Sequence, residues 1–129
     1  MNELSNNNKY DLEERAAKFA EDIIDLVRTV RQGAINQRII AQLVGASGSI
    51  GANYCEATEA ESKKDFIHKI SIAKKEIKET KHWLRLLAKS NPEQKERIRT
   101  LWQEAQELLL IFAKINRSSR GNVWKFINW

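Results

Sequence analysis

Apolar side chains recur every three or four residues along most of this chain. Between residues 11 and 30 the repeat runs through Leu12, Ala16, Phe19, Ile23, Leu26, Val27 and Val30. Three further segments keep the same spacing. A repeat near 3.6 places such side chains on one face of an α-helix, with charged residues opposite. The pattern predicts four amphipathic helices, at about residues 11–31, 35–60, 63–89 and 93–115.

Few residues could interrupt these helices. The chain of 129 residues contains one proline and five glycines, so it has few turns, and its length indicates one domain. Asn91 and Pro92 separate the last two segments, because proline disfavours helix in the residue before it. Ser62, with Asp65 three residues later, is typical of a helix start. Since short connections favour antiparallel neighbours, the sequence predicts an all-α, up-down-up-down four-helix bundle with a short aromatic tail at residues 116–129.

The composition argues against several kinds of site. The single cysteine excludes an intrachain disulfide, and His68 and His82 lack a standard zinc spacing. Glu79 and His82 form one Glu-x-x-His pair, whereas a di-metal bundle needs two. The first residues do not resemble a signal peptide, and no apolar run reaches the roughly 20 residues of a membrane span. We expect a cytoplasmic protein that has no cofactor, no metal and no membrane partner.

The stretch Gly-Ala-Ser-Gly-Ser-Ile-Gly at residues 45–51 first suggests a dinucleotide-binding turn. It follows an apolar run, and Asp65 lies twenty residues after Gly45, where a ribose-binding acid could stand. That interpretation requires a second strand, but the sequence around Asp65 is helical in period and no strand pattern follows. A P-loop is excluded because no Gly-Lys-Ser/Thr follows the glycines.

Within a helix, the same stretch becomes a face of small residues. Its members are Ala41, Gly45, Gly48, Ala52 and Cys55, spaced by three or four. A glycine inside a helix costs about 0.5–1 kcal/mol relative to alanine. We therefore expect a close helix contact to offset that cost. The contact could lie inside the bundle or between subunits. We expect Cys55 to be a small buried residue and not a nucleophile.

Positive charge is concentrated in one segment and in the tail. Residues 1–62 hold 6 basic and 10 acidic residues, whereas residues 63–92 hold 9 basic and 3 acidic; residues 93–115 balance, and the tail adds three cations. An anionic partner such as RNA or DNA fits this distribution, and so does a solvated lysine face. The candidate nucleic-acid-binding residues are Lys63, Lys64, Lys69, Lys74, Lys75, Lys78, Lys81, Arg85, Arg117, Arg120 and Lys125.

The stretch at residues 49–57 reads Ser-Ile-Gly-Ala-Asn-Tyr-Cys-Glu-Ala, and residues 62–66 read Ser-Lys-Lys-Asp-Phe. This signature resembles that of the 23S rRNA intervening-sequence proteins, which typically read Ser-Ile-Pro-Ala-Asn-Ile-Ala-Glu-Gly and Ser-Lys-Lys-Glu-Phe at the same spacing. The similarity extends over about residues 10–115. Gly51 replaces the family proline, Ala57 replaces a glycine, and Val44-Gly45 replaces a basic pair.

The resemblance implies a left-handed four-helix bundle that assembles into a ring-shaped homopentamer. It implies a proposed nucleic-acid-binding role and no enzymatic activity. A related branch, the accessory proteins of diversity-generating retroelements, binds a reverse transcriptase and RNA. Asn53 and Glu56 match the family's asparagine and glutamate, and we expect them to form a buried polar network. In this network Asn53 would bond a backbone carbonyl or a neighbouring helix, and Glu56 would pair with a cation of the third helix.

The tail has its own pattern. Trp124, Phe126 and Trp129 lie within six residues, with Lys125 between them. They could dock on the bundle, contact a neighbouring subunit, or stack on bases.

The leading hypothesis is a non-enzymatic oligomer that binds nucleic acid through the lysine-rich third helix. The alternative is a protein-binding scaffold, or an accessory subunit of a nucleic-acid-handling enzyme such as a reverse transcriptase. An enzyme with its own dinucleotide or metal site is the third and least favoured class.

Overall fold

Four helices account for nearly all of the described structure. The computed structural model describes residues 3–120, with side chains from residue 12 onward. The helices are α1 (Glu3–Val27), α2 (Ala34–Thr58), α3 (Lys63–Ser90) and α4 (Lys95–Ser119), with a 3₁₀ turn at Pro92–Gln94 before α4. Each helix packs against the next, and α4 returns to α1. Within this range, every regular element is helical, which confirms the predicted all-α four-helix bundle.

The first helix differs from its prediction at both ends. It begins at Glu3, where an asparagine-rich stretch has no apolar repeat to indicate a helix. It ends at Val27, before the predicted residue 31. The N–H groups of Thr29 and Val30 bond carbonyls only three residues back, at 3.0 and 3.2 Å, and this tighter turn ends the α-helix.

The fourth helix extends beyond the predicted boundary at residue 115. It ends at Ser119, so the first four residues of the predicted tail are helical. Asn116 and Ser119 are buried and continue the inward face of α4. Asn116 donates a hydrogen bond to Ser71 Oγ at 2.9 Å, and Ser119 Oγ donates to the Asn116 carbonyl at 3.0 Å. A pattern of apolar residues could not include these two positions, because they are polar and are buried only through these bonds.

The core is built from one apolar stripe per helix. Tyr54 is 2% exposed and its ring meets that of Phe112 edge-on at a centroid distance of 5.7 Å. Burial raises the pKa of Tyr54 to about 12. The principal core residues are Leu12, Ala16, Phe19, Ile23 and Leu26 of α1, Ile39, Leu43, Ile50 and Tyr54 of α2, Phe66, Ile70, Ala73, Ile77, Leu84 and Leu87 of α3, and Ile98, Leu101, Ala105, Leu108 and Phe112 of α4.

The predicted start of α3 is present. Ser62 is the N-cap, and its hydroxyl oxygen accepts a hydrogen bond from the N–H of Asp65 at 3.0 Å. The Asp65 carboxylate lies in the first turn, where the partial positive charge of the helix N-terminus favours an anion.

A buried pair of asparagines joins two connections of the bundle. The amide of Asn36 donates to Asn91 Oδ1 at 3.0 Å, and the amide of Asn91 donates to Asn36 Oδ1 at 2.9 Å. Further bonds link Asn36 to the Arg31 carbonyl and to Ser90 Oγ, and link Asn91 to the Leu87 carbonyl. Because these amides are satisfied in one geometry, they fix the start of α2 against the end of α3.

The close approach that the glycines predict occurs at Gly51. A Cβ placed at Gly51 would lie 3.5 Å from the Cβ of Ala16 and 3.9 Å from its carbonyl carbon. Thus α1 and α2 meet closely at this pair. By contrast, no described residue has an atom within 4 Å of a Cβ placed at Gly45 or Gly48. Of the two predicted alternatives, close packing within the described bundle is therefore wrong for these two glycines, and a contact between subunits stays a prediction.

The whole small-residue face of α2 points away from the core. Its five members, Ala41, Gly45, Gly48, Ala52 and Cys55, are all exposed, so the expectation of a buried Cys55 is also wrong. At 3.6 residues per turn these positions lie opposite the α2 core stripe. The larger side chains of that stripe bury more apolar area, so they turn inward and the small residues turn outward. We call these five residues the small face.

We predict that Gly51→Leu lowers the free energy of unfolding by about 1–3 kcal/mol, because the Ala16 backbone occupies the space that the side chain needs. Gly51→Ala is the matched control. Its methyl group would make ordinary contact with Ala16, and the gain in helix propensity adds up to about 1 kcal/mol. Urea titration of both variants measures the difference. Equal stability of the two variants would contradict the close approach.

We also predict that Asn36→Ala or Asn91→Ala costs about 1–3 kcal/mol, since each leaves the other amide buried without its partner. The double variant should lose less than the sum of the two single losses, because the pair acts as a unit. Asn53→Ala, at a half-buried position with a local bond to the Ser49 carbonyl, is the control and should lose less. Additive losses at positions 36 and 91 in a urea double-mutant cycle would disprove the coupling.

Candidate functional site

Four of the predicted cations form a stripe along one face of α3. Lys74, Lys78, Lys81 and Arg85 are spaced by four, three and four residues, so they share a face over about 17 Å of helix. We call them the basic stripe. Lys78 and Arg85 are exposed, whereas Lys74 and Lys81 are half-buried. Lys81 contacts Gln106 of α4, which places the stripe beside α4.

The acids of α3 lie on a different side of the helix. Asp65, Glu76 and Glu79 are its only acidic residues, and the helical period places all three away from the basic stripe. Burial, and secondarily the nearby carboxylate of Glu79, raise the pKa of Glu76. Among the charged residues of α3, this face therefore holds only cations. The number of charges along the sequence indicates a basic helix but does not show which face carries the cations.

The remaining predicted cations of α3 have different surroundings. Lys63, Lys64 and Lys75 are exposed. Lys69 faces α2, where its Nζ lies 2.6 Å from Glu56 Oε1. That hydrogen bond raises the pKa of Lys69. Because Lys69 is paired on the opposite flank of α3, it does not belong to the basic stripe.

Asn53 and Glu56 make separate contacts. The Asn53 amide donates to the Ser49 carbonyl one turn earlier, at 2.8 Å. Glu56 pairs with Lys69 as described, and its side chain is 58% exposed. Both proposed kinds of bond are therefore present, but they do not form the expected buried network. An exposed ion pair of this kind contributes about 0–1 kcal/mol, so Glu56 is a surface residue that links α2 to α3.

A groove between α3 and α4 continues the basic stripe. Its volume is about 460 Å³. Its floor is apolar and is formed mainly by Leu84, Ala88 and Ile98, while Trp102 stands at its side with 37% of its surface exposed. The cations that line it are Arg85, Lys95 and Arg99. No carboxylate is among the described residues that line it. We call it the α3–α4 groove.

The sequence prediction missed Lys95, Arg99 and Trp102. Residues 93–115 carry no net charge, so they were not included among the candidate cations. A usable signal was present: Lys95, Arg99 and Trp102 are spaced by four and three residues, which puts them on one face of α4. The spacing alone does not show that this face borders the cations of α3.

Two carboxylates of α4 form ion pairs on the side of the helix away from this groove. Arg15 of α1 binds Glu104 through two hydrogen bonds of 2.7 and 2.8 Å, and it binds Glu107 at 2.7 Å. The bond with Glu104 is the largest cause that raises the pKa of Arg15. Two carboxylates of α4 thus lie beside α1, where Arg15 offsets part of their charge, and the face beside α3 presents cations.

Trp102 is held in place by a cation. Lys81 Nζ lies 4.5 Å from the centre of the indole ring, and it also donates a hydrogen bond to Gln106 Oε1. The described lining of the groove includes Trp102 and Gln103 but neither Lys81 nor Gln106. Lys81 therefore supports the indole from outside the groove, and the indole borders the groove itself.

The predicted residues of the C-terminal region lie only partly within the described structure. Arg117 is exposed in the last turn of α4, and Arg120 follows the helix and is exposed. Lys125 and the aromatic residues Trp124, Phe126 and Trp129 lie outside the described residues.

The geometry also bears on catalytic alternatives. Residues 39–51 lie entirely within α2, so the glycines do not follow a strand as a dinucleotide-binding turn requires. Between residues 3 and 120, no group of three or more His, Cys, Asp and Glu residues is arranged to hold a metal ion. Desolvation raises the pKa of the Cys55 thiol, and the nearby Glu13 and Glu56 raise it further. This favours the unreactive protonated form of the thiol.

His82 is exposed, and its ring contacts that of Trp83.

In the part of the chain that the structure describes, no helix combines the length and the apolar character needed to cross a membrane.

Comparison with known proteins identifies the family. A family model described as "23S rRNA-intervening sequence protein" matches residues 8–114. No curated protein matches the chain. Among solved structures, a protein of unknown function from the S23 ribosomal protein family of Bacteroides thetaiotaomicron is similar. It is 28% identical, the match covers 84% of this chain and 97% of the other, and the TM-score is 0.74. Since the family match spans most of the bundle, as the signature at residues 49–66 predicted, this chain belongs to the 23S rRNA-intervening sequence protein family.

Proposed function

We propose that this protein is a non-enzymatic, oligomeric bundle that binds RNA or DNA through the basic stripe of α3. The observation that carries the proposal is the segregation of charge on α3. Lys74, Lys78, Lys81 and Arg85 share one face, and the three acids of that helix lie elsewhere. A line of cations without intervening carboxylates neutralises successive phosphates and releases their counterions, which gives affinity without sequence readout.

Two further observations support this function. Lys95 and Arg99 of α4 extend the positive surface beyond α3. Glu104 and Glu107 pair with Arg15 on the far side of α4, so these carboxylates do not line the groove and part of their charge is offset. Lysine and arginine contacts of this kind bind mainly the backbone, so RNA and DNA of different sequences should bind with similar affinity.

We propose that the small face of α2 is the contact between subunits. The expected assembly is the ring-shaped homopentamer that the resemblance to the family implies. Gly45 and Gly48 weaken the helix by about 0.5–1 kcal/mol each, and no contact among the described residues offsets this cost. Close packing against the helix of a neighbouring subunit would offset it. Ile35, which is 68% exposed at the start of α2, borders an apolar groove with Trp83 and Leu86 on the same flank.

The same exposed surface favours a second candidate function. A protein-binding scaffold, or an accessory subunit of an enzyme such as a reverse transcriptase, would use the small face and the groove beside Trp83 to hold a different protein. The molecular mass of the protein in solution distinguishes a contact between subunits from a binding site for a different protein. A homo-oligomer would cover it, whereas a monomeric scaffold would leave it open for a partner.

We predict salt-dependent binding that depends on the basic stripe. Fluorescence anisotropy with labelled RNA and DNA should show affinity falling about 10²- to 10³-fold between 50 and 200 mM salt, for about five phosphate contacts. Lys74→Gln/Lys78→Gln should weaken binding and reduce the magnitude of the log–log salt slope by about 2. The control Lys18→Gln/Arg28→Gln removes the same charge from α1 and the turn after it, and should leave the slope unchanged. No binding at 50 mM salt, or equal effects of both double variants, would reject the basic stripe as the binding surface.

We predict that Gly48→Leu shifts the oligomer toward smaller species in light scattering coupled to size exclusion. The leucine side chain would meet no described residue of its own protomer, so the helix should still fold, but the side chain would prevent a close approach by another helix. Gly51→Ala, which changes a glycine that faces α1, should keep the mass of the parent protein. As a second readout, the exposed Cys55 should react with a maleimide faster in Gly48→Leu than in the parent oligomer. A parent protein that is monomeric, or a Gly48→Leu variant of unchanged mass, would rule out this interface.

A further inference from the structure

The α3–α4 groove combines features that point to one kind of ligand. Its floor is apolar, an indole stands at its side, and three cations surround it. Its volume of about 460 Å³ falls in the range of about 300–1,000 Å³ that small-molecule sites occupy. A ligand that matches it must be a flat or apolar group attached to negative charge.

An unpaired nucleotide base has both properties. Base faces stack on aromatic side chains, and the phosphates on either side of the base carry negative charge. A duplex hides its base faces within its own stack and presents mainly phosphates, so it could contact Arg85, Lys95 and Arg99 but not the apolar floor. The chemistry of the groove thus favours single-stranded nucleic acid over a duplex.

The position of Trp102 supports stacking. Lys81 fixes the indole from outside the groove, through its ammonium group over the ring and its hydrogen bond to Gln106. A ring that is already held in one orientation loses less conformational freedom when a ligand binds. The 37% of Trp102 that remains exposed is the surface available for a base.

The cations stand where flanking phosphates would lie. Arg85 comes from α3, whereas Lys95 and Arg99 come from the first two turns of α4, so both walls of the groove contribute positive charge. A strand that places a base against Trp102 can therefore bring its adjacent phosphates to both walls. The basic stripe continues along α3 from Arg85 to Lys74 and offers a path for the rest of the strand.

We propose that the α3–α4 groove is a stacking site for an unpaired base of single-stranded nucleic acid, with Trp102 against the base and Arg85, Lys95 and Arg99 at the flanking phosphates. The proposal rests on the function proposed above and adds a preference for single strands, which the basic stripe alone would not produce.

The test uses the full chain at 50 mM salt with three fluorescent probes: a 12-nucleotide oligo(dU), a 12-base-pair DNA duplex, and heparin as a polyanion without bases. Trp102→Leu should lower affinity for oligo(dU) by about 5- to 100-fold, because one stacking contact is lost. Affinity for the duplex and for heparin should stay within about twofold, because no charge is removed. Trp102→Phe, which keeps an aromatic face, should restore most of the affinity for oligo(dU).

A second readout follows the indole directly. Oligo(dU) should quench part of the intrinsic tryptophan fluorescence of the parent protein, and heparin should not. In Trp102→Phe the quenching should disappear while binding by anisotropy persists. Thermal melting by circular dichroism must show both variants folded; if Trp102→Leu does not fold, the Trp102→Phe quenching result decides the test alone.

The outcomes separate this site from the general function. If the parent protein binds none of the three probes, the proposed function fails and the stacking site fails with it. If it binds all three and Trp102→Leu changes none of the affinities, or changes all of them equally, only the stacking site is overturned. If a peptide of alternating glutamate and leucine displaces oligo(dU) from the parent more strongly than unlabelled oligo(dU) does, the groove is a protein-binding site and the proposal is also overturned.

Discussion

The structure depends on the burial of one apolar stripe from each helix. A helix in a four-membered bundle turns only part of its circumference inward, and the largest apolar side chains occupy that part because they bury the most area. On α3 the stripe runs from Phe66 to Leu87, and on α2 it runs from Ile39 to Ala57. Once the core stripe of a helix faces inward, the helical period determines which of its other residues face outward. This is why the small face of α2 and the basic stripe of α3, which contribute little to the core, are both presented outward.

The charge on each flank of α4 depends on which of its charged side chains pair with a neighbouring helix. The net charge of a sequence segment does not reveal these pairs. Residues 93–115 carry no net charge, yet α4 has two flanks of opposite character. Beside α1, Glu104 and Glu107 are held by Arg15; beside α3, Lys95 and Arg99 line a groove without described carboxylates. The proposed binding surface is therefore wider than the third helix, since Lys95 and Arg99 of the fourth helix line the same groove as Arg85.

The sequence was sufficient for the fold, for the start of α3 at Ser62 and for the break at Asn91, because helical period and capping chemistry are local properties. It was not sufficient for the location of the small face. The helical period shows that Gly45 and Gly48 share a side of α2. Because their side chains carry almost no apolar area, the sequence does not indicate whether that side faces the core or the solvent. The buried asparagines were missed for a related reason. Asn36 is buried only because Asn91 satisfies its amide, and such a pairing depends on two distant parts of the chain.

The two proposed surfaces are compatible in one assembly. The small face lies on the side of α2 opposite the core, whereas the α3–α4 groove lies on the flank of α3 that borders α4, so neither surface includes a residue of the other. A subunit contact confined to the small face would therefore use none of the residues that line the groove. In a closed ring each subunit would then present one groove and one basic stripe to the same strand. Binding at one subunit raises the local concentration of the strand at the next, so sites that are individually weak can give tight binding that remains sensitive to salt.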